Sequence, residues 1–258
     1  MIAALTIDEE LVSVPTGNLG SLTWLGHATV LLTTLSGTRI IFDPWLDGNP
    51  KCPLTLDELG GVDAIAVTHG HFDHMGSVVP LAHATGATVV CVPEMAAYFS
   101  SVGVVNIVEM NKGGTIKLAD VSLTMVSADH SCGVAVFENS PNAYGGNPVG
   151  FVIGLPAGEG GPVYVSGDTN VFGDMSIIRD LYAPEICLMP IDGHYNMGPR
   201  EAAYAVNLLG VSRMIPYHYG TFPLLAGTPE ELRSQLEASH SHAVAVVLEP
   251  GQSVSLKA

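Results

Sequence analysis

Three histidines and an aspartate stand within six positions of this sequence, in the segment His69-Gly-His-Phe-Asp-His74. Imidazole and carboxylate groups are ligands suited to zinc and neighbouring divalent metals. The alternate residues His69 and His71 can converge on one ion, and Asp73 and His74 can turn toward a second. Clusters of such residues usually mark metal or catalytic chemistry. The segment therefore predicts a metal site.

The histidine-rich segment directly follows a continuous apolar run over residues 62–68, which predicts a strand buried on both faces. Proteins of the α/β class place their sites at the carboxyl ends of strands. One segment cannot complete the coordination shells of two metal ions, so further ligands are expected at the ends of other strands. His130, Asp168 and His218 each follow an apolar run in this way.

The rest of the chain predicts mixed sheets with helices on their outer faces. Apolar runs bounded by turn residues predict strands over 21–26, 28–34, 38–44, 62–68, 87–93, 105–110, 115–128, 150–155, 162–167, 185–190, 213–218 and 243–250. Helical patterns cover 77–86, 93–103, 174–182, 199–210 and 228–239. Residues 138–147 read as a polar loop. Because the sequence shows no repeat of fixed period and no long linker, we expect one domain over residues 1–258.

Charge and composition narrow the partners. Nine basic and 25 acidic residues give a formal net charge of −16. Such a surface repels phosphate backbones, so we expect a small-molecule substrate and neither nucleic acid nor a membrane. Two divalent cations could still invert the field locally. A homo-oligomer is compatible with this composition.

Four scattered cysteines favour reduced thiols and a cytoplasmic location. The first residues lack the basic flank of a signal peptide. Uninterrupted apolar stretches also stay shorter than a membrane span.

These residues resemble the metallo-β-lactamase superfamily. Its signature is H-x-H-x-D-H followed by an isolated His, an Asp and a final His. Further motifs resemble one branch, the bacterial metal-dependent hydrolases related to the ascorbate-6-phosphate lactonases. These motifs are LGHAT (25–29), FDPWL (42–46), GDT (167–169), MGPREA (197–202) and HYGTFP (218–223). The resemblance implies a four-layer αβ/βα sandwich of two mixed sheets with two metals at one edge.

The resemblance also implies a ligand set. The first metal is expected on His69, His71 and His130, the second on Asp73, His74 and His218, with Asp168 bridging the two. Zinc is the default, and manganese, nickel and iron suit the same ligands.

Two cations that share a water would lower its pKa from about 15.7 toward roughly 7 and supply hydroxide at neutral pH. We therefore expect a dinuclear hydrolase of a small ester or lactone, with or without a phosphate or carboxylate group. Asp73 is expected to orient the nucleophile and shuttle a proton. His194, after the strand at 185–190, is expected to donate a hydrogen bond to the oxyanion or leaving group.

Several neighbours carry weaker expectations. Asp43 could orient a ligand imidazole or act in a turn. For His27, the resemblance implies a place near the site, and a buried, hydrogen-bonded histidine is the favoured expectation. Tyr195 and Tyr219 could line the pocket or pack in the core. Cys132 is expected to be a buried thiol and not a ligand. The remaining histidines are expected at the surface: His83, His240 and His242.

Two alternatives remain open. A phosphodiesterase or nuclease belongs to the same superfamily, although the net charge disfavours it. A redox or metal-binding protein on the same scaffold is the other. Diiron relatives generally carry a carboxylate at the second motif position, where this chain has His71, and a fused flavin domain.

Overall fold

A computed structural model describes residues 20–135 and 142–257, which form sixteen strands and seven helices. The strands are β1 Ser21–Trp24, β2 Val30–Thr33, β3 Arg39–Phe42, β4 Ala64–Ala66, β5 Thr88–Cys91, β6 Ile107–Glu109, β7 Thr115–Leu118, β8 Val121–Ser127, β9 Gly133–Val134, β10 Ala143–Tyr144, β11 Val149–Gly154, β12 Val163–Val165, β13 Ile186–Pro190, β14 Arg213–Tyr217, β15 Val244–Ala245 and β16 Ser253–Ser255. The helices are α1 Leu56–Leu59, α2 Phe72–Met75, α3 Val78–Thr85, α4 Pro93–Ser101, α5 Met175–Tyr182, α6 Pro199–Leu209 and α7 Pro229–Ala238.

Within these ranges, no helix has the length and apolar character needed to cross a bilayer. The expectation about a signal peptide concerns residues 1–19, which lie outside the described residues.

Two seven-stranded sheets carry the fold. The first has the order β16-β1-β2-β3-β4-β5-β6 and changes from antiparallel to parallel pairing at β3. The second has the order β15-β14-β13-β12-β11-β8-β7 and makes the same change at β12. Both sheets are therefore mixed, as predicted.

The largest core fills the space between the sheets, where Phe42 of the first sheet and Phe151 of the second lie with ring centroids 6.1 Å apart. Helices α3 and α4 pack against β5 of the first sheet. A second core joins the outer face of the other sheet to helices α5, α6 and α7. The order helix, sheet, sheet, helix confirms the predicted four-layer sandwich.

The predicted helix boundaries follow local chemistry. Helix α6 begins at Pro199, whose fixed φ and missing N–H suit a first helical turn, and ends at Gly210 in the left-handed region. Helix α3 likewise ends at Gly86, with φ +69°. The predicted helix over 77–86 and its terminating glycine are thus confirmed.

The structure differs from the predicted elements near the carboxyl end. The apolar run at 243–250 pairs as a strand only at β15. Strand β16 was not predicted, because two serines flank Val254 and the segment contains no apolar run. Its pairing with β1, which buries Val254, comes from a contact between the two ends of the described chain.

Two local segments also differ. Part of the histidine-rich segment forms the single-turn helix α2, with His71 as its N-cap. The predicted loop at 138–147 lies partly outside the described residues. In its described part, Ala143–Tyr144 pairs with Gly133–Val134 as a two-stranded ribbon.

Candidate metal centre

The predicted ligands meet at one edge of the sandwich because their strands run in the same direction. Strand β11 is antiparallel to both β8 and β12, so β8 runs parallel to β12, as β14 does. The carboxyl ends of these three strands carry His130, Asp168 and His218. The end of β4 in the first sheet reaches them directly, since the Val149 N–H donates to the Thr68 carbonyl at 3.0 Å.

Three histidines form the first group. One ring nitrogen from each of His69, His71 and His130 lies within 4.8 Å of the others. Burial is the largest influence on each ring and lowers the pKa of all three, with His69 well below its ordinary value. They are therefore neutral imidazoles near pH 7, which is the form that binds metals.

The second group combines a carboxylate with imidazoles. Ligand atoms of Asp73, His74 and His218 lie within 4.8 Å of one another, together with one of His27. His218 Nε2 is 3.8 Å from Asp73 Oδ2. Burial alone would raise the pKa of Asp73, but the neighbouring rings of His218 and His27 hold that pKa well below its usual range. Asp73 is therefore ionised at neutral pH.

Asp168 lies between the two groups. Its Oδ1 is 3.3 Å from His74 Nε2, and its Oδ2 is 3.2 Å from His218 Nε2. The same Oδ2 is 3.7 Å from His130 Nε2 in the first group. One carboxylate thus contacts residues of both groups, so all seven predicted ligands come together.

The second group favours positive charge. Burial alone would lower the pKa of His74, but the carboxylates of Asp168 and Asp43 raise it to about 10. Burial also opposes protonation of His218, yet Asp168 and its other carboxylate neighbours raise the pKa of that ring well above its ordinary value. A bound divalent cation would supply this charge in place of the protons.

Buried polar atoms at the centre provide a direct test of whether these residues fit a metal. Among the described residues, His74 Nε2, Asp168 Oδ1 and His218 Nε2 are buried and have no hydrogen-bond partner. Their short mutual contacts are ion-pair distances without hydrogen-bond alignment. Buried polar groups are otherwise nearly always paired. Three orphaned ligand atoms that face one another therefore fit a cation.

Asp43 is linked by hydrogen bonds to one histidine of each group, to His74 directly and to His69 through Thr68. Its Oδ2 is 2.8 Å from His74 Nδ1 and accepts from the Thr68 hydroxyl at 2.6 Å. Its Oδ1 accepts from the Thr68 N–H at 2.8 Å, and the Thr68 hydroxyl is 3.0 Å from His69 Nδ1. The position is that of a partner which orients ligand imidazoles. Of the two roles considered for Asp43, the geometry supports this one.

Sequence reasoning missed Asp192. Its Oδ2 is 3.0 Å from His218 Nδ1 and accepts from Asn196 Nδ2 at 2.9 Å. Burial would raise the pKa of Asp192, but its hydrogen bond with His218 lowers it to about 2. The signal was available, because Asp192 closely follows strand β13 just as Asp168 follows β12.

His194, in the same loop, is the predicted residue that the structure does not bring to the ligands. Its side chain is exposed, and its backbone N–H donates to Asp192 Oδ1 at 2.8 Å. Its ring packs on Tyr195 with centroids 4.6 Å apart. Of these two, only Tyr195 is among the described residues that line the cavity in front of the centre. The catalytic role of His194 stays a prediction.

The other neighbours agree with their expected places, except that Cys132 is half-buried and not buried. His27 is fully buried and hydrogen-bonded. Tyr219 stacks on Trp24, with ring centroids 5.5 Å apart. The Cys132 thiol donates to the Gly145 carbonyl at 3.1 Å, and burial raises its pKa, which keeps it a thiol. The three remaining histidines are exposed: His83, His240 and His242.

Three of the six non-glycine residues with positive φ in the described ranges lie at the centre. His27, Asp43 and His218 have φ values of +54°, +46° and +57°, in the left-handed region that side chains with a Cβ rarely adopt. Each such residue costs on the order of 1–3 kcal/mol and persists only where the surroundings fix it. Here the three strained residues contact the ligands or are predicted ligands themselves.

A cavity of about 770 Å³ opens in front of the centre. His71, Asp73, His130, Asp168 and His218 face it, together with Phe72, Tyr195, Phe222 and Leu224. This volume lies in the range of small-molecule sites.

Comparison with known proteins places this geometry in a class. Residues 38–219 match the family described as the Beta-lactamase superfamily domain. The chain is 45% identical over 234 residues to a UPF0173 metal-dependent hydrolase of Koribacter versatilis, which covers 91% of this chain and 97% of the relative. It is 44% identical over 232 residues to a second one, of Methanopyrus kandleri, which covers 90% of this chain and 98% of the relative.

Among solved structures, Igni18, described as a novel metallo hydrolase from Ignicoccus hospitalis, superposes with a TM-score of 0.80 at 31% identity. The match covers 93% of this chain and 99% of Igni18. The chain belongs to the β-lactamase superfamily, within its UPF0173 metal-dependent hydrolases. The predicted superfamily is confirmed, and the closer relation to ascorbate-6-phosphate lactonases stays a prediction.

Proposed function

We propose that this protein uses two bound divalent cations to hydrolyse a small ester or lactone. His69, His71 and His130 would hold the first cation, and Asp73, His74 and His218 the second, with Asp168 between them. The observation that carries the proposal is the position of Asp168, whose two oxygens face His74, His218 and His130 at 3.2–3.7 Å. A carboxylate in contact with both groups is suited to bridge two ions.

When bound, the cations supply Lewis acidity and make water a nucleophile at neutral pH. Zinc remains the expected metal, and the all-nitrogen and oxygen ligands also accept manganese, nickel or iron. The residues around the cations would then hold the reacting groups in place and move protons.

Asp73 is the proposed proton acceptor. It is ionised, and its Oδ2 lies 2.9 Å from His27 Nε2, which fixes the direction of the carboxylate. Burial lowers the pKa of His27 to about 4, so the ring is neutral at pH 7 and donates one N–H to Asp73. For this reason we assign His27 to the support of Asp73 and not to the ligand set. His194 would donate a hydrogen bond to the leaving group from the loop next to Tyr195.

A small substrate suits the cavity better than a polymer. A volume of about 770 Å³ can enclose a ring or a short acyl chain. The net charge of −16 disfavours the long anionic backbone that a nuclease would bind.

The test compares the purified protein, stripped and then reloaded with zinc or manganese, on a panel of lactones and p-nitrophenyl esters. We expect turnover that depends on metal, with two ions per chain by elemental analysis. Asp168→Asn should lose at least one ion and reduce kcat by about 100-fold or more. His83→Ala, an exposed histidine, is the control.

Loaded protein that cleaves bis(p-nitrophenyl) phosphate and no ester or lactone would replace this proposal with the phosphodiesterase alternative. One ion per chain in active protein would refute the dinuclear assignment.

A further inference from the structure

We propose that the substrate presents an uncharged, apolar group beside the metal centre, and that Phe72, Phe222 and Leu224 bind this group. The inference rests on the proposed function and names the class of substrate. It narrows the earlier expectation, which allowed a phosphate or carboxylate on the ester or lactone.

Apolar side chains, three of them large and exposed, form part of the cavity lining. Phe72 is 62% exposed, Leu224 57% and Phe222 38%, and all three face the cavity along with Pro223 and Leu225. We call these five residues the apolar wall. Grouped large apolar side chains at the surface usually mark a binding site, particularly where polar residues border them. The polar border here consists of the predicted ligands.

The apolar wall is fixed relative to the ligands. Phe72 stands between His71 and Asp73 in the chain, so its backbone moves with theirs. The buried Trp45 ring packs on Phe72 with centroids 5.6 Å apart and on Phe222 with centroids 6.1 Å apart. Trp45 thereby holds both phenyl rings in place. A group that contacts them lies beside the reacting bond of the same substrate.

Away from the predicted ligands, the described lining of the cavity offers no Lys or Arg side chain to an anionic substituent. All nine Lys and Arg residues lie in the described ranges, and none is among the residues that line the cavity. An anionic group away from the metals would lose its hydration without gaining a partner. A net charge of −16 would oppose its approach as well.

Three lactones that share one ring separate these effects. γ-Nonalactone carries an apolar pentyl tail, γ-butyrolactone carries none, and 5-oxotetrahydrofuran-2-carboxylate carries a carboxylate at the same position. With zinc-loaded protein we expect kcat/KM for γ-nonalactone to exceed that for the carboxylated lactone by at least about tenfold, with γ-butyrolactone between them. A carboxylated lactone that reacts as fast as γ-nonalactone would overturn the proposal.

A matched pair of variants connects the preference to the apolar wall. Leu224→Arg places a cation in the cavity at an exposed position that tolerates the change. It should shift the ratio of the two rates toward the carboxylated lactone by about tenfold. Leu181→Arg makes the same change at the exposed face of α5, where Leu181 is 67% exposed and outside the cavity lining, and should leave the ratio unchanged. Equal ratios in the wild type and Leu224→Arg would contradict the assignment of the apolar wall.

Binding provides a readout that does not depend on turnover. Trp45 packs on the apolar wall, so its fluorescence should respond when γ-nonalactone binds to metal-stripped protein and respond less to the other two lactones. Tail-dependent binding without hydrolysis of any lactone or ester would refute the proposed function and leave this inference intact. Hydrolysis with no tail preference would refute the inference alone, and the absence of both would refute both.

Discussion

The imidazole of His27 lies 2.9 Å from the carboxylate of Asp73, Nε2 to Oδ2, although 46 residues separate them in the chain. The other ring nitrogen, Nδ1, is 2.9 Å from the Thr221 hydroxyl. Because His27 is neutral, its Nε2–H donates to Asp73 and its Nδ1 accepts from Thr221. Asp73 is thus oriented by a histidine whose two ring nitrogens both form hydrogen bonds.

Replacing His27 should therefore weaken the centre without unfolding the protein. Asn tolerates the left-handed backbone at this position, where φ is +54°, but its side chain is too short to reach Asp73. We expect His27→Asn to reduce metal affinity or kcat/KM by about 10- to 100-fold. Competition with a chromophoric chelator measures the affinity. Wild-type affinity and activity in His27→Asn would show that the contact has no positioning role.

Loading the centre should release protons. At pH 7 His74, with a pKa of about 10 because Asp168 and Asp43 stabilise its charged form, carries a proton that a metal must displace. Metal affinity should therefore rise with pH below about 10, with at least about one proton released per chain at pH 7. Titration calorimetry in two buffers of different ionisation enthalpy measures the release. Identical heats in both buffers would contradict this prediction.

Metal binding should also stabilise the fold, because the ligands come from strands of both sheets. At a free metal concentration of about 100 times Kd, the gain is about 2.7 kcal/mol. For a chain of this size, that should raise the Tm by roughly 5–10 °C, measured by scanning calorimetry with and without a chelator. Asp168→Asn should show a smaller rise. A Tm that does not depend on the chelator would argue against a centre formed by both sheets.

Gly167 is required for the approach of β12 to the end of β4. Its φ is +64°, and an added Cβ would lie 2.6 Å from the Thr68 Cβ. We expect Gly167→Ala to lower the free energy of unfolding by about 1–3 kcal/mol and to displace Asp168, the next residue. Gly173→Ala is the matched control, since an added Cβ there would have nothing within 4 Å. Urea denaturation measures both, and equal stabilities would disprove the requirement.

Sequence patterns were sufficient to select the seven side chains that meet at the candidate centre, and the resemblance to the superfamily predicted the four layers. Each predicted ligand closely follows an apolar run, and a strand end is a local property that sequence can show. The common direction of β8, β12 and β14 then brings His130, Asp168 and His218 together. We did not select Asp192 from the sequence, because the functional role in this loop was assigned to His194, two residues later.

What the sequence by itself determined was the chemistry: imidazoles and carboxylates at strand ends, a net charge of −16 and alternating elements of known period. The tertiary structure alone decided which distant groups support that chemistry, namely His27 behind Asp73, Asp192 behind His218 and Trp45 behind the apolar wall. The reason is physical. Local pattern fixes where a side chain leaves the backbone, whereas the partner it meets depends on the packing of two sheets, to which every strand contributes.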